Sequence, residues 1–134
     1  MDAKGNVNGH QAPGKLSGIG GFANISQTTK KVVFCMTFTS GGLEGQFDGH
    51  RVTITKEGRI QKFQNTIPTR SFAVENAYAI GQEVMYVTER CVFRLTPEGL
   101  ELSEIAPGVD LEKDILSQMP FRPLLAPELK MMEF

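Results

Sequence analysis

The chain has 134 residues and a net charge of -1, with 22% charged residues, so it offers no broad cationic face to a nucleic acid backbone or an anionic membrane. That length suits a single domain with a core of its own. The apolar runs are far too short to span a bilayer, and Met1-Asp2-Ala3-Lys4-Gly5 lacks the apolar stretch of a secretory signal, so the expected location is the cytoplasm.

Residues 1–17 are polar and turn-rich, with Gly5-Asn6, Asn8-Gly9 and Pro13-Gly14 as changes of direction, and are expected to be an irregular lead-in with little to bury. The glycine-rich stretch Gly18-Ile19-Gly20-Gly21-Phe22 follows. Glycines there let backbone amides approach an anion or a developing oxyanion without an intervening Cβ; a tight turn is the plainer reading. Residues 25–30 could form a short turn of helix. Val32 to Phe38 is the most apolar run and reads as a strand covered on both faces. It ends in Thr39-Ser40-Gly41-Gly42. A glycine loop at the carboxyl end of a strand is a candidate site wall in an open parallel sheet.

From Arg51 the pattern alternates. Val52 and Ile54, the turn Lys56-Glu57-Gly58-Arg59, then Ile60 and Phe63 read as a β-hairpin with one wet face. Residues 64–82 are ambiguous, because Pro68 interrupts them and 73–80 fits either a short helix or an irregular connection. Residues 83–88, 90–95 and 100–105, with the turn Pro97-Glu98-Gly99, predict an antiparallel meander. After Pro107-Gly108, Asp110 is placed to cap a helix bearing Leu111, Ile115, Leu116 and Met119, stopped by Pro120. The remaining tail, with Leu124, Leu125, Leu129, Met131 and Met132, is too apolar to be left in water and is expected to dock on another surface.

Local chemistry is sparse. Cys35 and Cys91 lie in apolar segments and are expected as reduced core thiols. His10 and His50 have no partner at ligand spacing, so no metal site is expected, and no nucleophilic triad can be assembled. Glu44, Glu57 and Glu98 each precede a glycine and read as solvated turn residues.

One set of motifs, taken together, is more specific than any single one. Gly5-Asn6-Val7-Asn8, Gly18-Ile19-Gly20-Gly21-Phe22-Ala23-Asn24-Ile25-Ser26, Lys31-Val32-Val33-Phe34-Cys35, Thr37-Phe38-Thr39-Ser40-Gly41-Gly42-Leu43, Glu57-Gly58-Arg59, Lys62-Phe63, Val87-Thr88-Glu89-Arg90-Cys91-Val92-Phe93 and Glu104-Ile105-Ala106-Pro107-Gly108-Val109-Asp110-Leu111 occur in this order. The series resembles the C-terminal segment of the family I coenzyme A transferases, of the acetate or propionate type. Met36 departs from it, standing where that family commonly has glycine.

The resemblance implies an α/β fold: the strand-rich C-terminal part of a CoA-transferase (NagB/RpiA-like) domain, with a mixed sheet, β-hairpins and one C-terminal helix. Residues 1–134 would form one partial domain. It further implies ping-pong transfer of CoA from a short-chain acyl-CoA to a carboxylic acid through a glutamyl anhydride and a glutamyl-CoA thioester. The family's nucleophilic glutamate lies upstream of the matching segment, so no catalytic residue is assigned here and the chain alone is expected to be inactive. Gly18, Gly20 and Gly21 would line the site near the thioester, joined by Gly41 and Gly42. CoA enters as a substrate, with no metal. Glu89-Arg90 is expected to be a structural charge pair holding the meander. The implied partners are acyl-CoA and carboxylate substrates and either a larger CoA-transferase polypeptide or a second copy of the chain, with no nucleic acid and no membrane. The alternative is a noncatalytic remnant or interaction module with the same fold.

Overall fold

The alternation of inward and outward side chains from Glu83 to Ile105 organises the molecule. Val84 and Tyr86, then Cys91 and Phe93, then Leu100 and Leu102 all belong to one buried core, with Glu83 and Arg94 exposed and Met85 and Glu101 half-buried between or beside them. A computed structural model describes residues 1–7, 11–12, 15–16, 30–65 and 73–133. In chain order its strands are β1 (Gln11–Ala12), β2 (Lys15–Leu16), β3 (Lys31–Cys35), β4 (Thr39–Ser40), β5 (Glu44–Phe47), β6 (Val52–Lys56), β7 (Ile60–Gln61), β8 (Glu83–Val87), β9 (Cys91–Thr96), β10 (Gly99–Ile105) and β11 (Leu124–Met131). Helix α1 (Val74–Ile80) precedes β8.

The main sheet runs β11-β10-β9-β8-β3. Its centre is the expected antiparallel meander, while β3 joins β8 in parallel, with Cys35 opposite Val87, and β11 joins β10 in parallel. The apolar tail docks as foreseen, as an edge strand. Leu124, Leu125 and Met131 nonetheless remain exposed. Helix α1 settles the ambiguous 73–80 stretch. It buries Val74 and Ala77, and Gly81 closes it at φ +66° with its amide on the Tyr78 and Ala77 carbonyls.

Several expectations are corrected. Strand β3 is shorter than foreseen and is covered on one face only: Val32 is buried, whereas Val33 is 47% exposed. Among the described residues β3 is an edge strand, so its apolar run is not a central strand's. The hairpin around Glu57 also pairs differently. β6 pairs with β5 and β7 with β4, giving an inner and an outer antiparallel pair in place of a β6–β7 hairpin. Alternation identified the strands but not their partners: β4–β5 and β6–β7 are the two arms of one antiparallel ribbon that reverses at residues 48–51, where the Asp48 amide donates to the Arg51 carbonyl.

The segment after Asp110 is capped as expected, the Asp110 carboxylate accepting from the Lys113 amide at 2.7 Å. It is a π-helical turn (Leu111–Ile115) running into a 3₁₀ turn (Leu116–Gln118), not a regular α-helix. The wide turn followed by a tight one aims both Ile115 and Met119 into the core within one short segment.

The first residues are not an idle lead-in. Met1, Asp2 and Asn6 are buried. Asn6 donates from Nδ2 to Asp2 and accepts at Oδ1 from the Val74 amide, satisfying one of the unpaired donors at the start of α1. Gly5, at φ +96°, offers its carbonyl to the Tyr86 hydroxyl at 2.6 Å. That hydroxyl would stand 2.7 Å from any Cβ at position 5, so the Gly5-Asn6 motif is read by the core. Residues 25–29, foreseen as a possible helical turn, lie outside the described residues.

Of the two thiols, only Cys91 is a core residue, and burial pushes its pKa up to about 12; Cys35 is exposed on β3. Its outward position follows from the one-sided burial of that strand. A thiol reagent at pH 8 is expected to modify Cys35 rapidly in the native chain, and Cys91 only after denaturant is added. Equal native rates, read by intact mass, would contradict this placement.

Candidate functional site

Strands β3 and β8 are parallel and end side by side. The segments that leave their carboxyl ends, Met36–Gly42 and Thr88–Arg90, meet beyond the sheet, where ligands bind in open parallel sheets. What joins them is Arg90. Its side chain is fully buried, at 0% exposure, although an arginine opening an apolar strand would ordinarily turn outward.

Every donor of the guanidinium is used. Nε donates to Glu89 Oε2 at 2.7 Å. Nη1 donates to Glu57 Oε2 at 2.8 Å and to the Asp114 carbonyl at 2.7 Å. Nη2 donates to Glu57 Oε1 at 2.5 Å and more weakly to Thr39 Oγ1 at 3.4 Å. The plane also lies over the Phe38 ring, 4.9 Å from its centroid. Bidentate pairing of this kind fixes geometry as well as charge. Glu89 in turn accepts from the Phe38 amide at 2.7 Å, and Glu57 from the Thr39 hydroxyl at 2.6 Å.

Arg90 thus ties the β8–β9 turn to the β4 loop, the Glu57 turn and the π-helical turn. Hydrogen bonds from Arg90 hold the Glu57 carboxyl below the usual glutamate range, against the opposing effect of its partial burial. Burial is the largest influence on Arg90 and disfavours its charge, but the hydrogen bonds and charges of Glu57 and Glu89 together exceed it and raise its pKa.

Glu57 is therefore not the solvated turn residue that its Glu-Gly sequence suggests. Glu44 and Glu98 are exposed as expected. The difference lies in Gly58. A Cβ there would stand 2.6 Å from Thr39 Oγ1 and 2.8 Å from the Ser40 amide, so the turn closes tightly onto β4 and carries Glu57 inward. Glu89-Arg90 keeps the structural role expected of it, with Glu57 as the partner that sequence reading missed. The available signal was the arginine itself, set directly against Cys91-Val92-Phe93.

Gly41 and Gly42 have φ of +75° and +92°, a conformation costly to residues with a Cβ. Gly41 offers its carbonyl to the Arg59 amide at 3.2 Å. Neither glycine amide donates to another backbone carbonyl among the described residues. Gly18, Gly20 and Gly21 lie outside the described residues, as does His10; His50 is exposed. Met36, set where the resemblance has glycine, is half-buried against the core and donates its amide to the Val87 carbonyl at 2.9 Å. A depression of about 340 Å³ lies between the π-helical segment and Met119–Arg122, and shares no lining residue with the glycine loop. Among the described residues no group of His, Cys, Asp or Glu is placed to hold a metal ion, and no helix is long and apolar enough to cross a membrane.

Comparison with known proteins agrees with this architecture. The chain is 47% identical over 133 residues to the acetate CoA-transferase YdiF of Escherichia coli K12, covering 99% of the chain and 25% of that protein. It is 43% identical over 137 residues to a caffeate CoA-transferase of Acetobacterium woodii, covering 98% and 26%. The chain therefore spans about a quarter of the length of these relatives. No protein-family model matches it.

Among solved structures, the acyl-CoA transferase YdiF of E. coli O157:H7, captured as a thioester complex with CoA, superposes with a TM-score of 0.95 at 48% identity over 99% of the chain and 26% of that protein. The decarboxylase AibA/AibB shares the fold alone, with a TM-score of 0.67 at 14% identity, covering 100% of the chain and 48% of its own. The strand-rich mixed sheet is the α/β arrangement expected from sequence. Along nearly its whole length, and in fold, the chain is homologous to a C-terminal segment of the coenzyme A transferases.

Proposed function

We propose that this chain supplies the C-terminal part of a cytoplasmic CoA-transferase active site, moving CoA between a short-chain acyl-CoA and a carboxylic acid. Residues 1–134 act as one domain of that site, and the nucleophilic glutamate comes from another segment or polypeptide. The observation that carries this reading is the match of 99% of the chain, at a TM-score of 0.95, to a quarter of a transferase solved as a CoA thioester.

In the proposed reaction the incoming glutamate carboxylate attacks the acyl-CoA carbonyl and expels the CoA thiolate, leaving an anhydride. The thiolate then attacks the glutamyl carbonyl, releasing the acyl group as a carboxylate and forming a glutamyl-CoA thioester. An acceptor acid reverses both steps. The role of this chain is to present backbone amides at Gly18, Gly20, Gly21, Gly41 and Gly42 to the developing oxyanions or to CoA. Glu57 and Glu89 support an external nucleophile, because both carboxylates are bound to Arg90. The edge position of β3, with Val33 exposed, supports pairing with further strands.

The test is reconstitution. The purified chain is mixed with YdiF lacking its matching quarter, and CoA transfer from acetyl-CoA to propionate is followed with intact mass. The expected result is no covalent CoA adduct on the chain alone, and a CoA adduct on the larger polypeptide, with turnover, only when both are present. An adduct on the chain itself, or a mixture with neither association nor turnover, would overturn the proposal. The second outcome favours the noncatalytic alternative, as would a monomer or self-oligomer in native mass spectrometry of the chain from its source.

A further inference from the structure

The diglycine turn between β4 and β5 is flanked by two cations that the structural cluster does not use. Lys56 ends β6 and Arg59 follows the Glu57-Gly58 turn, and both side chains are exposed. The Arg59 stem lies across Gly41, its Cγ 3.1 Å from where a Cβ would stand. Its Nη1 and the Lys56 Nζ come within 3.8 Å and 3.9 Å of a Cβ position on Gly42. Both positive heads therefore converge on one glycine that has no side chain of its own.

Among the described residues neither cation forms an ion pair. The carboxylate between them, Glu57, is turned inward onto Arg90. Glu44 stands opposite Lys56 in the β5–β6 ladder, yet makes no ion pair with it. Two exposed cations without an ion-pair partner among the described residues, set over a turn of consecutive positive-φ glycines, form a cationic feature suited to a phosphate group, which Arg and Lys both bind through charge-assisted hydrogen bonds.

We infer that Lys56, Arg59 and the Gly41-Gly42 turn bind a phosphate of the nucleotide end of CoA. This rests on the CoA-transferase reading above and assigns the turn a ligand different from the acyl oxyanion. Acyl chemistry is then left to the glycines at 18, 20 and 21.

The test titrates the full chain calorimetrically with CoA, 3′-dephospho-CoA, pyrophosphate and pantetheine, comparing it with the double variant Lys56→Gln/Arg59→Gln. Both positions are exposed, and matching thermal melts check that the fold is kept. CoA and pyrophosphate are expected to bind the parent and to weaken about tenfold or more in the variant, and to weaken in the parent as salt is raised. Pantetheine binding should be the same in both. Retained affinity for 3′-dephospho-CoA would identify the diphosphate as the bound group, and its loss the 3′-phosphate.

Equal CoA affinity in parent and variant would overturn this inference and leave the transferase reading intact. Variant-sensitive binding of pyrophosphate without binding of CoA would overturn CoA as the phosphate's source and count against that reading as well. Binding of none of the four probes would overturn the site.

Discussion

Replacing Arg90 by methionine is expected to cost about 3–5 kcal/mol of folding stability, measured by urea unfolding of the full chain. Methionine fills much of the space but leaves the Glu57 and Glu89 carboxylates, the Thr39 hydroxyl and the Asp114 carbonyl without their shared donor. Because domains are marginally stable by about 5–15 kcal/mol, this one change approaches the limit of what the fold can lose. Glu57→Gln should cost less, since an amide oxygen can still accept one of the two guanidinium bonds. The double variant should be less destabilised than the sum of the singles by about 1–3 kcal/mol, because one interaction is then counted twice. Strict additivity would show that the pair contributes nothing beyond packing.

The same pair sets an acid limit. The folded pKa of Glu57 lies below its ordinary value of 4.5, so its contribution is fully present above that pH and is lost as pH falls through the lower folded value. The stability difference between the parent and Glu57→Gln is therefore expected to be flat from pH 6 to 8 and to shrink below about pH 4.5. A difference that grew with acid would reverse the sign of the argument.

Phe63→Ala is the second large effect, expected to cost about 3–5 kcal/mol. Phe63 is buried, with ring centroids 4.6 Å from Phe38, 5.5 Å from Phe93 and 6.3 Å from Phe121. It is the hub through which the β4–β7 segment packs on the main sheet and on the chain entering β11. Truncation leaves a cavity bordered by three aromatic rings that cannot all close it. Phe63→Leu keeps most of the volume and should lose roughly half as much or less. If alanine cost no more than leucine in urea unfolding, the site would be able to collapse and the aromatic hub would not be what holds the segment.

Strand identity was largely readable from residues because it rests on local alternation: Val84 and Tyr86, Leu100 and Leu102 each mark one buried face, and Val52 is buried with Ile54 half-buried beyond it. Turns were readable for the same reason, since Gly41, Gly99 and Gly108 occupy positive-φ positions that other residues avoid. The meander followed, as its strands are joined by short turns and pair with their sequence neighbours. The family likeness was also legible in the ordered motifs, and the relatives at 47% and 43% identity agree with it.

What tertiary structure alone decided was partnership across distance. Nothing local separates Glu57-Gly58 from the exposed Glu98-Gly99, yet close packing at Gly58 turns one carboxylate onto Arg90 while the other stays in water. Cys35 and Cys91 sit in equally apolar strings, and only the edge position of β3 leaves the first outside. The nested pairing of β4 to β7 and the burial of Met1, Asp2 and Asn6 likewise depended on surfaces made by other segments. Local sequence determined which elements form, because propensity and periodicity act over a few residues. The three-dimensional fold decided which of them bury a charge, because desolvation depends on every segment that packs against it.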